Sequence, residues 1–306
     1  MMSTAPLTGV IPPLVTPLNP DDSLDTASIE ALLNHVIDGG VSGVFILGST
    51  GEFSSLSYSL RKRLIDRVCR EVDERVPVLV GISDTSMYES FRMAQYAADS
   101  GADAVVLTAP YYFPLNQEEL YEYTVNMVEQ IPLPVFLYNM PKMTQCHFDV
   151  ETTRRLMQID KIIGMKESSG NMLHFHQLKQ LQAERKDWTL LVGPEELMPE
   201  AVLFGAHGGV HGGSNIHPKL YVDLYEAAAC GNLPLVRKLH QQVLQLAQIY
   251  QYGRSKVSGI PAIKTALSQL GLCQSHVLPP LLEPNEAQQE EIKMVLSEAG
   301  LVTASV

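Results

Sequence analysis

The sequence predicts a (β/α)8 barrel followed by a helical appendage. Two observations carry that prediction. Eight short β-rich runs alternate with longer stretches of helical spacing, and most of the runs are continuously apolar rather than alternating, as parallel strands buried on both faces must be. The runs are 10–15, 43–47, 77–81, 103–108, 134–138, 161–165, 189–193 and 208–212.

The first helical stretch, 26–39, sets Ile29, Leu32, Leu33, Val36 and Ile37 on one face. Asp25 or Thr26 can cap its start, and Gly39-Gly40 can end it. Stretches 57–74, 87–100 and 117–130 repeat the pattern, and Ser100-Gly101-Ala102-Asp103 reads as a helix stop leading into the fourth strand. A doubly wound open sheet is the competing architecture. Its glycine-rich dinucleotide turn is missing after the first strand, where Thr16-Pro17-Leu18 stands instead. Beyond about residue 230 the strand signals stop, and 233–252, 261–270 and 286–299 read as three helices, the first ended by Gly253. The expected organisation is a catalytic barrel over 1–230 and a helical appendage over 231–306.

Composition narrows the functional classes. Of 306 residues 45% are hydrophobic and 18% charged, enough for the large core of a barrel of roughly 250 residues. A net charge of −12 repels nucleic acid and anionic membrane, so neither is an expected partner. Residues 1–7 lack a basic-then-apolar leader, and no apolar stretch approaches the roughly 18 residues of a membrane span. Cys69, Cys146, Cys230 and Cys273 are scattered and read as free thiols. A cytoplasmic enzyme is expected.

Barrel active sites lie at the C-terminal ends of the strands, and three ends stand out. Lys166 closes the run Ile162-Ile163-Gly164-Met165. An amine emerging from an apolar wall is desolvated, which favours its neutral, nucleophilic form. The plainer reading pairs Lys166 with Glu167 at a solvent edge; its position at a strand end favours the nucleophile. Gly48-Ser49-Thr50-Gly51-Glu52 follows the second strand. Its small residues let backbone N–H groups and two hydroxyls converge on a carboxylate without net positive charge; an ordinary capped strand-to-helix turn has the same composition. Tyr138, at the fifth strand end, has a phenol able to shuttle a proton, or else a ring that belongs to the core.

Together these segments resemble the dihydrodipicolinate synthase / N-acetylneuraminate lyase family. Gly48-Ser49-Thr50-Gly51-Glu52 is similar to its G-[ST]-T-G-E motif, Tyr138-Asn139-Met140-Pro141 to its Y-N-x-P motif, and Gly164–Gly170 to the segment around its Schiff-base lysine. The resemblance spans the whole barrel. It implies that Lys166 forms an imine with a 2-oxo acid, that Tyr138 shuttles protons, and that Ser49, Thr50 and the Gly51 backbone bind the substrate carboxylate. It implies no cofactor, the covalent imine on Lys166 itself acting as electron sink. Pro110-Tyr111-Tyr112 resembles the family's P-Y-Y element, whose second tyrosine reaches a neighbouring subunit's site. Tyr112 is therefore a candidate relay residue in a homotetramer or homodimer.

The chain departs from the synthase branch at one place. Where that branch carries an arginine two positions after the Y-N-x-P proline, this sequence has Met143, beside Lys142. A thioether cannot hold a second substrate's carboxylate, and lysine lacks the bidentate fork. Gly193-Pro194-Glu195-Glu196 resembles the acidic strand end of the sugar-acid lyases, with Glu195 and Glu196 as candidate acceptors for a polyol; helix-dipole stabilisation is the alternative. No lysine or arginine occurs in 194–218, which disfavours a phosphorylated substrate. His211 is a candidate pocket residue. Neither His174/His176 nor His207/His211 has the spacing and third ligand of a metal site.

The expected function is cleavage or formation of a 2-keto-3-deoxy sugar acid or related 2-oxo acid by a class I lyase, yielding pyruvate and an aldehyde. The alternatives are condensation of pyruvate with aspartate semialdehyde, dehydration of a 2-keto-3-deoxy acid, and a non-catalytic barrel that only binds 2-oxo acids.

Overall fold

A computed structural model describes residues 6–252 and 259–303. Eight parallel strands run in the order β1-β8-β7-β6-β5-β4-β3-β2. They are β1 Gly9–Val10, β2 Val44–Ile46, β3 Val78–Gly81, β4 Ala104–Thr108, β5 Val135–Asn139, β6 Ile162–Glu167, β7 Thr189–Val192 and β8 Gly208–Gly209. A parallel bridge between Pro13 and Phe45 closes the sheet, with Leu14 N donating to Phe45 O and Phe45 N to Pro12 O. The expected first strand, 10–15, is mostly extended chain rather than ladder. Pro12 and Pro13 have no N–H to contribute, so β1 stops at Val10.

The intervening helices are α1 Thr26–Asp38, α2 Tyr58–Val72, α3 Met87–Asp99, α4 Gln117–Gln130, the short α5 Pro141–Thr144, α6 Val150–Leu156, α7 Met172–Leu181, α8 Met198–Leu203 and α9 Pro218–Ala229. Asp25 caps α1 by accepting from Ser28 N, and Ser57 caps α2 by accepting from Leu60 N. The apolar face of α1 is buried through Ile29, Leu32, Leu33 and Val36. Two apolar layers result. One lies between strands and helices. The other fills the barrel interior with Ile11, Phe45, Leu79, Ala104, Val106, Phe136, Tyr138, Leu191 and Val210.

After β8 the chain is helical among the described residues: α9, then α10 Leu233–Leu246 running into a 3-10 turn at Ala247–Gln251, α11 Ile260–Gln269 and α12 Glu286–Glu298. The expected helix 233–252 is thus α in its first part only. Gly253, expected to end it, lies outside the described residues, as does the start of segment 1–7. The four cysteines are free thiols. Among the described residues no helix is long and apolar enough to cross a membrane, and no cluster of three His, Cys, Asp or Glu is placed to hold a metal ion.

Candidate active site

A register irregularity builds the centre of the site. β5 and β6 pair Val135 with Ile162 but Phe136 with Gly164, an extra residue on β6. From there Tyr138 pairs with Lys166 and Asn139 with Glu167. Side chains alternate faces along a strand, so a one-residue slip exchanges them. Without the bulge Lys166 would stand beside Asn139, on the outer face. With it, Lys166 joins Tyr138 on the inner face. Gly164 makes the room: a Cβ there would lie 2.6 Å from the Phe136 ring and 2.5 Å from Thr189 O.

Lys166 and Tyr138 are 7% and 4% exposed, enough to be reached from the barrel mouth and little more. Lys166 Nζ lies 4.1 Å from the centre of the Tyr138 ring and 5.3 Å from that of Phe45, which meets Tyr138 edge-on at 6.4 Å. The side chains of Ser49, Lys166 and Ser168 are the polar groups that act on the Tyr138 hydroxyl. Burial pushes the phenol pKa up most strongly of any single influence. The Lys166 charge and those three polar side chains together outweigh it, and the phenol is shifted below its usual value.

The outward-facing partners act as a clamp. Asn139 Nδ2 donates to Glu167 Oε2 at 2.6 Å, Ser169 N donates to Glu167 Oε1 at 2.6 Å, and Phe148 N donates to Asn139 Oδ1 at 3.2 Å. Glu167 therefore pins the loops after β5 and β6 and is not the partner of Lys166. The signal for this was in the sequence: Asn139 and Glu167 each follow a candidate catalytic residue by one, and so share the opposite face.

Above Lys166 a cavity of about 720 Å³ opens. Ser49, Thr50, Thr108, Tyr138, Lys142, Met143, Lys166, Glu195 and Glu196 all line it. Part of the lining comes from beyond the barrel strands: Tyr250, Gly259, Ile260, Ile263, Pro280 and Leu281. Among the described lining residues there is no arginine, and Met143 occupies the wall as the sequence placed it.

Three expected residues, Gly51, His211 and Glu195, have polar atoms already engaged within the protein. Gly51 is buried and its N–H donates to Gly48 O at 3.0 Å, so that donor is spent inside the turn. His211 is fully buried, outside the lining, with Nδ1 bonded to Gly193 O at 2.9 Å and its ring against Tyr221. Burial pushes its pKa down to about 4. Glu195 borders the cavity, yet its carboxylate is already occupied. Oε1 accepts from Tyr221 Oη at 2.7 Å, while Oε2 accepts from Gly213 N at 2.9 Å and Tyr250 Oη at 3.0 Å. Burial pushes this carboxyl up to about 7 in spite of those donors. Glu196 remains exposed at the rim. Tyr112 is 76% exposed, its ring 5.0 Å from that of Phe113, and it is not part of the cavity of this single chain.

Glu52 was not expected to matter. It is 2% exposed and its carboxylate takes Lys264 Nζ at 2.7 Å and Leu278 N at 2.9 Å. In the sequence it was marked as the last residue of the Gly48-Ser49-Thr50-Gly51-Glu52 segment, without a role. Tyr111, half-buried, also lines the cavity, its ring 6.3 Å from Phe53.

Comparison with known proteins agrees with this fold. The model of the Dihydrodipicolinate synthetase family matches residues 6–299. A 4-hydroxy-tetrahydrodipicolinate synthase of Methanopyrus kandleri is 32% identical over 96% of this chain and 97% of its own. An Escherichia coli K12 protein, named provisionally as a 2-dehydro-3-deoxy-D-pentonate aldolase, is 31% identical over 96% and 98%. The structure of dihydrodipicolinate synthase from Bacteroides thetaiotaomicron superposes with a TM-score of 0.94 at 46% identity, covering 97% of this chain and 100% of that one. A prophage protein of E. coli K12, solved in complex with pyruvate, gives 0.91 at 32% identity over 96% and 99%. The chain belongs to the dihydrodipicolinate synthetase family, and with it to the carbon–carbon lyases of the pyruvate-dependent class I aldolase type.

Proposed function

We propose that the chain cleaves, or in reverse forms, a 2-keto-3-deoxy sugar acid or related 2-oxo acid through an imine on Lys166. One observation carries the reading: the β5–β6 bulge makes Lys166 and Tyr138 inward-facing register partners at the base of a cavity that Ser49 also lines.

The Lys166 amine adds to the C2 ketone, and the carbinolamine loses water to give a protonated imine. Tyr138 shuttles the protons that these steps move. Removal of the C4 hydroxyl proton then breaks the C3–C4 bond, the electron pair flowing into the imine. An aldehyde leaves, the enamine is protonated at C3, and water releases pyruvate. Ser49 and Thr50 hold the carboxylate with uncharged donors. Exposed Glu196 is the free carboxylate able to accept from substrate hydroxyls, since Glu195 is bound to two tyrosines. No resident cofactor enters this scheme.

The synthase reaction with aspartate semialdehyde is the second reading, favoured by the 46% identity to the Bacteroides protein. Met143 in the cavity wall opposes it. A panel of 2-keto-3-deoxy acids scored for pyruvate release, beside pyruvate with aspartate semialdehyde, separates the two. Lys166→Ala is the control; full activity in that variant would overturn both.

The reading extends to the assembly. Residues 1–230 are taken as the catalytic barrel and 231–306 as its helical appendage. The exposed Tyr112–Phe113 pair supports a second copy of the chain as partner, in a cytoplasmic homodimer or homotetramer.

A further inference from the structure

We propose that Lys264, remote from the reacting atoms, is a positioning residue for the carboxylate of the 2-oxo acid. It acts through Glu52, which fixes the turn that presents Ser49 and Thr50. The proposal rests on the imine reading given above.

The turn after β2 is fixed at both ends. Gly51 N donates to Gly48 O and Glu52 N to Ser49 O, while Thr16 Oγ1 donates to Gly51 O at 2.7 Å. Glu52 itself has a φ of +57°, a backbone region that residues bearing a Cβ rarely adopt. Its carboxylate holds it there, 2.7 Å from a lysine 212 positions away. Both side chains are 0% exposed.

Two buried charges gain little over two well-packed neutral side chains of the same size, because leaving water cancels most of their attraction. What the pair supplies is therefore sought in geometry. One Glu52 oxygen fixes α11, whose Ile260 and Ile263, four residues and one residue before Lys264, line the cavity. The other accepts from Leu278 N, two residues before Pro280 and Leu281 on the same wall. A single carboxylate thus joins the hydroxyl-bearing turn to the wall contributed by the C-terminal helices. Ser49, three residues before it, lines the cavity together with Tyr138 and Lys166.

The test is borohydride trapping of the pyruvate adduct across pyruvate concentrations, read by intact mass, on the full chain. Lys264→Met is expected to raise the half-saturating pyruvate about tenfold while leaving the adduct yield at saturation unchanged, the pattern of lost binding rather than lost chemistry. Its thermal midpoint is expected to fall. The double variant Glu52→Gln/Lys264→Met, with no buried charge, is expected to recover the midpoint but to keep the raised half-saturation. Should the single variant not fold, the double decides alone. Half-saturation within about twofold of the unmodified chain in the double variant would overturn the proposal. An unmodified chain that takes no adduct at any concentration would instead remove the imine reading beneath it, and the proposal with it.

Discussion

Tyr138 and Lys166 are register partners on adjacent strands, with Lys166 Nζ 4.1 Å from the centre of the tyrosine ring. The Lys166 charge therefore acts on the phenol. Lys166→Ala should take no pyruvate adduct by intact mass after borohydride. Tyr138→Phe should still form one, about 10²–10⁴-fold more slowly, because the proton shuttle alone is lost. The Lys166 charge is the largest of the influences lowering the Tyr138 pKa. Lys166→Met should accordingly move the Tyr138 titration upward, read by ultraviolet difference against Tyr138→Phe.

Stability should depend on pH through two buried groups of opposite sign. Glu195 titrates near 7 when folded, above its usual 4.5, so the folded state binds the extra proton. Its contribution is full below pH 4.5 and is lost as pH rises towards 7 and beyond. His211, depressed from 6.5 to about 4, contributes fully above 6.5 and loses that contribution as pH falls through 4. Each spans on the order of 3 kcal/mol, and the two slopes oppose one another at mildly acid pH. Glu195→Gln should unmask the histidine slope, so that urea midpoints rise from pH 4.5 to 6.5 more steeply than in the unmodified chain. An unchanged slope would contradict the assignment.

Gly81, at the end of β3, should tolerate no side chain. A Cβ there would lie 2.1 Å from Leu47 O and 2.7 Å from Leu47 C, backbone atoms directly before the Ser49–Thr50 turn. Gly81→Ala must displace that turn, at a cost of about 3 kcal/mol or more. Urea unfolding measures the cost, and the pyruvate needed for half-maximal trapping should rise with it.

Met143→Arg should alter the choice of aldehyde. A guanidinium on this wall could grip a carboxylate with two parallel hydrogen bonds. Aldol addition of pyruvate to a carboxylate-bearing aldehyde, relative to a neutral hydroxyaldehyde, should improve about tenfold, some 1.4 kcal/mol. Equal or worse discrimination would show that this position does not face the second reactant.

The barrel was legible because its strands are apolar on both faces and its helices carry ordinary stops and caps, as at Asp25 and Ser57. Strand ends were less legible. Pro12 and Pro13 shorten β1, whereas Lys166 and Glu167 extend β6 beyond the apolar run. Motif order singled out Lys166, Tyr138 and Ser49 as candidates, but not the bulge that lets the first two meet, since an irregular step in pairing leaves no mark in one strand's composition. Glu195 and His211 illustrate the opposite difficulty. Their residue types suit a pocket, and only the positions of Tyr221, Tyr250 and Gly193 reveal that their polar atoms are already engaged.

Because Tyr250, Ile260, Ile263, Pro280 and Leu281 close one flank of the cavity, the last strand is not the last part of the site. A chain cut at residue 230 would retain Lys166 but leave that flank open to bulk water, where an enamine of the kind proposed above would meet protons from the solvent unselectively. The limits of the barrel and the limits of the chemistry fall at different points along the chain. Retuning the size of the accepted reactant is therefore a matter for the tail, where side chains can change without touching a single strand.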